Sequence, residues 1–291
     1  MDRFTIRDIE NLCRIKAHTL RIWEQRYDFF HAKRKESLHR FYDSEDLRLL
    51  LQVAFLYHGG WKVSRIAALQ RSDLQATITT ALGEPTNDEQ DVLSLLAAAS
   101  SFDERSFRER LDAIVRQKGL EDAVMQVCFP FLQRVGNLWL TNHVIPAQEH
   151  FSSYLIQHKI IAETDRLPRT KPKFPPVLLF TPRGEHHELP LLFINYLLRF
   201  YGWEVIYLGT NYDIRELPEE IRARTQILYL HLITNLTGQL PDDYFETLCK
   251  LYPAKTIVAS GGAVQDAQRS FRNLVLLKSD DSIRNFVRNG L

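Results

Sequence analysis

Apolar positions along this chain keep a helical spacing through its first half and change to short unbroken runs in its second. Thr5-Ile6-Arg7-Asp8 reads as a capping box, in which the Thr5 hydroxyl and the Asp8 carboxylate satisfy orphan amides at a helix start. Ile6, Ile9 and Cys13 then share one face of a short first helix. Ala17, Leu20 and Trp23, three residues apart, predict the core stripe of a second helix from about Lys16 to Arg26. His18, Arg21 and Gln25 fall on its opposite face, as donors suited to base edges in a major groove. A third helix carries Leu47, Leu50, Leu51, Ala54 and Phe55, with Asp43 and Asp46 able to cap it. Gly59-Gly60 breaks the chain before a short fourth helix with Val63, Ile66 and Leu69.

Two polar or proline-rich seams follow, at Gly83–Asn87 and at Leu167–Pro176, the second with prolines at 168, 172, 175 and 176. Between them the pattern stays helical. Asn87 and Gln90 cap a segment with Val92, Leu95, Leu96 and Ala99; Asp103 starts Phe107, Leu111, Ile114 and Val115, closed by Gly119. Two more helices, about Glu121–Leu140 and Ala147–Thr164, complete a predicted antiparallel four-helix bundle over residues 87–167. Beyond the second seam, apolar runs at 177–180, 204–208, 226–230, 256–259 and 274–277 alternate with helical segments near 191–201, 214–224, 242–251 and 265–271. That alternation predicts a Rossmann-like parallel five-stranded sheet over 177–291 with helices on both faces. Ligands of such sheets sit outside the carboxyl ends of the strands. The loop Thr181–Leu189 and the pair Gly261-Gly262 both fall at that edge. No GxGxxG follows the first strand, which argues against a dinucleotide. The expected fold class is multidomain, α and α/β.

Composition narrows the setting. A chain of 291 residues, 45% hydrophobic and 25% charged, suits several globular domains. No run of eighteen apolar residues and no signal peptide is seen, so no membrane is expected and the expected compartment is cytoplasmic. Cys13, Cys128 and Cys249 are far apart and form no CxxC pair, so they are expected reduced and buried. The net charge is only +1, yet Arg14–Arg40 holds eight Lys/Arg against three acids. Charge concentrated in one small module suits phosphate binding, and Lys62 adds a further candidate.

The run Thr19-Leu20-Arg21-Ile22-Trp23-Glu24-Gln25-Arg26-Tyr27, with His39-Arg40-Phe41-Tyr42 and Ser44-Glu45-Asp46-Leu47, resembles the amino-terminal domain of MerR-type transcription regulators. The resemblance implies a winged helix-turn-helix over residues 1–75. Its second helix would enter the major groove, and Tyr27–Phe41 would form the wing. Lys16, His18, Thr19, Arg21, Gln25, Arg26, Tyr27, Arg40, Tyr42 and Lys62 are the expected DNA contacts. A reading head this small needs a dimer on paired half-sites of a double-stranded operator. Lacking the long coiled coil of MerR-type dimers, the chain is expected to form a homodimer or homotetramer through its carboxy-terminal domains.

A second resemblance covers residues from about Asn87 onward. Trp139 is followed after nine residues by Glu149-His150, the first sheet-edge loop reads Glu185-His186-His187-Glu188-Leu189-Pro190, and Gly202–Gly209 forms the second strand. These features resemble the cobalamin-binding regulators of the CarH and LitR kind. The resemblance implies that His187 is the lower axial ligand of cobalt, with Glu185 holding the loop or polarising its partner; a carboxylate beside a ligating imidazole fixes its orientation, and Glu185 or Glu188 is placed for that. It implies that Trp139, Glu149 and His150 cover the upper face of adenosylcobalamin, and that Gly261 and Gly262 admit its nucleotide tail. Three positions depart from the pattern: Pro190 replaces a glycine, His231 stands where a small serine is expected, and Leu140 replaces a histidine found in light-sensing members.

The expected function is a DNA-binding, repressor-like transcription regulator whose oligomerisation and operator occupancy follow cobalamin, with light as a further input. A cobalamin-independent regulator of the same fold, its sensor domains serving assembly or a protein partner, is the alternative. Glu185-His186-His187-Glu188 could instead hold free zinc or iron. No Ser-His-Asp, Cys-His or paired-acid arrangement argues for an enzyme.

Overall fold

The computed structural model describes residues 4–27, 30–34, 40–82, 86–139, 146–233 and 240–291. Contacts divide the chain into two compact units, residues 1–156 and 157–291.

The first unit opens with α1 (Ile6–Cys13) and α2 (Ala17–Arg26), followed by a two-stranded antiparallel ribbon of β1 (Lys33–Arg34) and β2 (Arg40–Phe41). The Thr5–Asp8 capping box forms: the Asp8 amide donates to Thr5 Oγ1 at 3.3 Å, and the Thr5 amide donates to Asp8 Oδ2 at 2.7 Å. α2 has no side-chain cap of its own; Glu10 of α1 accepts from the Ala17 amide at 3.2 Å instead. α3 (Ser44–His58) begins at the Asp43–Asp46 box and buries Leu47, Leu50, Leu51, Val53, Ala54, Phe55 and Leu56. Burial on so many sides marks a central helix. α4 (Val63–Ala67) stops before Leu69, and α5 (Arg71–Leu82) follows, an element the apolar pattern did not reveal. Among its described side chains only Leu74 and Ile78 are buried, too few to stand out as a stripe.

Four helical segments come next: α6 (Asp88–Ser100), α7 (Glu104–Lys118), α8 (Leu120–Ala123) running into α9 (Phe129–Trp139), and α10 (Pro146–Asp165), which belongs to this unit as far as Ile156. α8 and α9 are joined by a π-helical turn, Val124–Cys128, closed by the Phe129 amide on the Val124 carbonyl. Pro130 explains it, because a proline ring clashes with the carbonyl four residues back and a wider turn relieves that clash. Phe107, Phe131 and Phe151 meet edge to face and join α7, α9 and α10. The head and these helices share a core, with α1 packed on α9 and α3 on α6. Polar bonds lock the junction. Arg134, 5% exposed, donates to Glu89 through both terminal nitrogens and to the Leu12 carbonyl at 3.2 Å. His58 Nε2 donates to the Cys13 carbonyl at 2.8 Å.

The second unit contains the end of α10 and a five-stranded all-parallel sheet in the order β4-β3-β5-β6-β7. The strands are β3 (Phe174–Pro182), β4 (Trp203–Tyr212), β5 (Ile227–His231), β6 (Thr256–Ser260) and β7 (Leu274–Leu277). The helices are α11 (Glu188–Tyr201), α12 (Glu219–Arg224), α13 (Pro241–Leu251) and α14 (Asp280–Asn289). β3 starts inside the proline-rich stretch expected to be linker; Pro175 and Pro176 sit at a register shift near the strand's start, where missing amides are tolerated. Val177, Leu178, Leu179 and Phe180 are all 0% exposed, as a strand covered on both faces requires. Leu178, Phe180, Leu228 and Leu230 pack toward Phe245 and Leu248 of α13. On the other face Phe286 of α14 meets Tyr229 and Trp203, whose indole donates to the Val287 carbonyl at 2.8 Å. The helix expected at 265–271 is a short 3-10 turn, Gly262–Asp266, and α14 was not anticipated. Unlike the runs that mark the strands, α14 buries only Phe286 and Val287.

Candidate functional site

On the reading head, α2 presents its expected polar face. Leu20 and Trp23 are buried at 1% and 5%, whereas His18, Arg21, Gln25 and Arg26 are exposed. Lys16 is exposed and pairs with Glu10 at 3.2 Å. Thr19 is half-buried and lies 3.3 Å from His18 Nε2. The Arg26 guanidinium lies 5.6 Å from the Tyr27 ring centroid, and Lys62 is exposed at the start of α4. Tyr42 corrects the expectation of a DNA contact. At 1% exposure it belongs to the core, bonded backbone to backbone with Phe4 and 6.3 Å from the Phe30 ring. An aromatic that closes the wing onto the chain start cannot also face a duplex. Arg40 starts β2, but its side chain lies outside the described residues. Ile22, 52% exposed among these donors, was not singled out by pattern reasoning.

The second site gathers at the carboxyl edge of the sheet. With the order β4-β3-β5-β6-β7, the chain reverses direction across the sheet between β3 and β5, where open parallel sheets place their ligands. His187 is the N-cap of α11, beside that switch point. Its Nδ1 donates to Glu185 Oε1 at 2.5 Å, and its amide donates to the same oxygen at 3.0 Å. Glu185 Oε2 accepts from the Ile233 amide at 2.9 Å, tying the loops after β3 and β5 together. The carboxylate is 1% exposed and the imidazole 52% exposed. With Nδ1 held by a buried carboxylate, Nε2 is the outward ring nitrogen, the arrangement found in metal-ligating histidines.

The loop is braced further. Thr181 Oγ1 donates to the Glu185 carbonyl at 2.7 Å and accepts from the Asn211 amide at 3.0 Å. Asn211 Oδ1 accepts from the Gly184 amide at 2.9 Å. Tyr207 donates to Glu188 at 3.2 Å. Pro190 does not distort the loop: it is the third residue of α11, within the first turn, where an amide has no helical partner. These braces come from residues far apart in sequence, so no local motif could announce them.

Other expected positions differ. His231 ends β5 at 9% exposure, its Nδ1 2.8 Å from Ser260 Oγ, which in turn meets the Tyr229 hydroxyl at 2.7 Å. Burial pushes its pKa down to about 4, against the raising effect of Glu185, with His187 adding to the fall. Gly261, at φ +101, could not carry a side chain, because a Cβ would stand 2.2 Å from the Leu232 carbonyl oxygen. That clearance is taken by the chain's own backbone, which accounts for the glycine without a nucleotide tail. At Gly262 the nearest approach, 3.4 Å to the Ile233 carbonyl, is ordinary contact. Glu149 and His150 lie in the first turn of α10 with side chains 41% and 80% exposed. Trp139 ends α9, its side chain outside the described residues, as is Leu140 altogether. Among the described residues no cluster of three or more His, Cys, Asp or Glu is placed to hold a free metal ion, and no helix is long and apolar enough to cross a membrane. The three cysteines are buried and unpaired, and burial pushes the Cys128 thiol up to about 12.

Comparison with known proteins agrees with this geometry. Residues 4–73 match the MerR HTH family regulatory protein family, and residues 94–162 match the B12 binding domain, a span that includes Trp139, Glu149 and His150. The HTH-type transcriptional repressor CarH of Myxococcus xanthus is 24% identical over 87% of this chain and 86% of its own length. CarA of the same organism, also an HTH-type transcriptional repressor, is 27% identical over 84% of this chain and 80% of its own. Among solved structures, the monomethylamine corrinoid protein of Methanosarcina barkeri aligns with a TM-score of 0.57 at 12% identity, covering 70% of this chain and all of that one, a likeness of fold alone. The chain thus joins a segment matching the MerR-type helix-turn-helix to one matching a B12-binding domain, and over most of its length it is homologous to the repressors CarH and CarA.

Proposed function

We propose that this protein is a repressor-like regulator of double-stranded DNA whose operator occupancy is set by a cobalamin held through His187. The observation that carries the reading is the Glu185–His187 pair at the sheet's switch point, in a chain that also bears a MerR-type head. The donor set fits: an imidazole oriented by a buried carboxylate suits cobalt. A bound cobalamin would supply a coloured metal centre able to exchange a ligand. Glu185 fixes the tautomer of His187, and the Ile233 amide keeps Glu185 from turning away. Adenosylcobalamin as the bound form, light as an input, and a homodimer or homotetramer on paired half-sites are finer parts of the same proposal. Whatever the assembly, the ligand shifts it only by the difference in its affinity for the two states.

The test is desalting after mixing with adenosylcobalamin and hydroxocobalamin in darkness. The wild type is expected to keep visible absorbance, and His187→Ala to lose or shift it while still binding DNA. A wild type that retains no colour with either cobalamin overturns the reading. Mass measured with adenosylcobalamin, before and after illumination, checks the finer part; an unchanged mass removes ligand-controlled assembly. A second reading, a regulator of this fold that needs no cobalamin, is favoured by His231, buried on Ser260 where the family pattern has a small serine.

A further inference from the structure

α2 carries an exposed residue that neither packing nor phosphate binding accounts for. Ile22 leaves 52% of its surface to solvent, while its neighbour Trp23 is buried at 5%. Positions 18, 21, 22 and 25 follow three- and four-residue steps, so they share one stripe of the helix. His18, Arg21 and Gln25 on that stripe are exposed donors. A lone surface isoleucine is ordinary by itself. Here it sits among base-reading donors, on the helix of a MerR-type head. Its branched Cβ holds essentially one χ1 rotamer in a helix, so the apolar surface it offers is fixed in direction. In the major groove only thymine among the four bases presents a methyl group, and apolar contact is how that group is read.

We propose that Ile22 is a specificity-determining residue that packs against the 5-methyl group of a thymine in each half-site, while Arg21 and Gln25 bond neighbouring base edges. The inference rests on the DNA-binding reading and adds the base that the apolar position selects. The full chain is first used to select a preferred duplex from randomised sequences. Each thymine of that duplex is then replaced singly by deoxyuridine, which removes the methyl group and nothing else. Wild-type affinity is expected to fall about fourfold at one position per half-site, the worth of one buried methyl group. Ile22→Ala is expected to bind the thymine and uracil duplexes alike, with an unchanged salt dependence, and Ile22→Val to keep part of the discrimination. The side chain is exposed, so neither variant removes core packing. If the wild type binds its selected duplex tightly but tolerates every uracil, or if Ile22→Ala still discriminates, the inference is overturned. If no duplex is retained at all, the DNA-binding reading fails with it.

Discussion

At the scale of single residues, two histidines at one sheet edge have opposite fates because different groups hold them. His187 keeps a ring nitrogen toward solvent because Glu185 takes the other, whereas His231 is turned inward on Ser260. The second has a consequence in pH. His231 has a folded pKa of about 4, below its ordinary 6.5, so between those values the unfolded chain binds more protons than the folded one. Its contribution is therefore intact above pH 6.5 and is lost as pH falls toward 4, by at most about 3 kcal/mol. Urea unfolding at pH 7 and pH 5 should show that loss, and His231→Gln should flatten it; an equal slope in both proteins would refute the assignment. The Glu185–His187 pair was legible in sequence because its members are two residues apart. The Ile233 amide that completes it comes from another strand, and no local spacing points to it.

At the scale of elements, local rules located α1, α3 and α6, which begin with capping boxes, and the strands with unbroken apolar runs, but missed the Ser279–Ser282 box that starts α14. α3 and α6 begin where Asp43–Asp46 and Asn87–Gln90 put them. What escaped were elements held by few buried side chains, such as α5, and features set by distant partners, such as the backbone pressed on Gly261. The Arg134–Glu89 pair belongs to the second kind, since 45 residues separate its members. A buried arginine deprived of its carboxylate is costly, so Glu89→Ala is expected to destabilise the first unit by about 3 kcal/mol. Replacing both partners, Arg134→Met with Glu89→Leu, should recover much of that. A urea double-mutant cycle measures it, and additive losses would mean that the pair does not act as a unit.

At the scale of the whole chain, composition marked polar and proline-rich stretches as seams, yet the two units part at 156/157, inside α10. Composition reports where a chain cannot form a helix, whereas a unit ends where contacts thin out. The head is a case in point. Asn87 Nδ2 donates to the His58 carbonyl at 3.0 Å and Gln90 Nε2 to the Phe55 carbonyl at 3.4 Å, so α6 covers the far side of α3. A fragment ending at Leu82 is therefore expected to melt broadly and at lower temperature than residues 1–156, which should melt cooperatively. Circular dichroism on heating compares them, and coincident melting curves would show that α6 lends the head nothing.

That shared core bears on exchanging the amino-terminal module for another. Exchanging everything before α6 for a foreign head would strand Arg134 without the Leu12 carbonyl and Gln90 without the Phe55 carbonyl. Exchanging only the exposed residues of α2 keeps Leu20 and Trp23 in the core, Trp23 against Tyr57 of α3, and leaves the seating of α1 and α3 in place. The workable unit of exchange is then smaller than the family boundary suggests: a cartridge of reading residues slotted into a fixed holder.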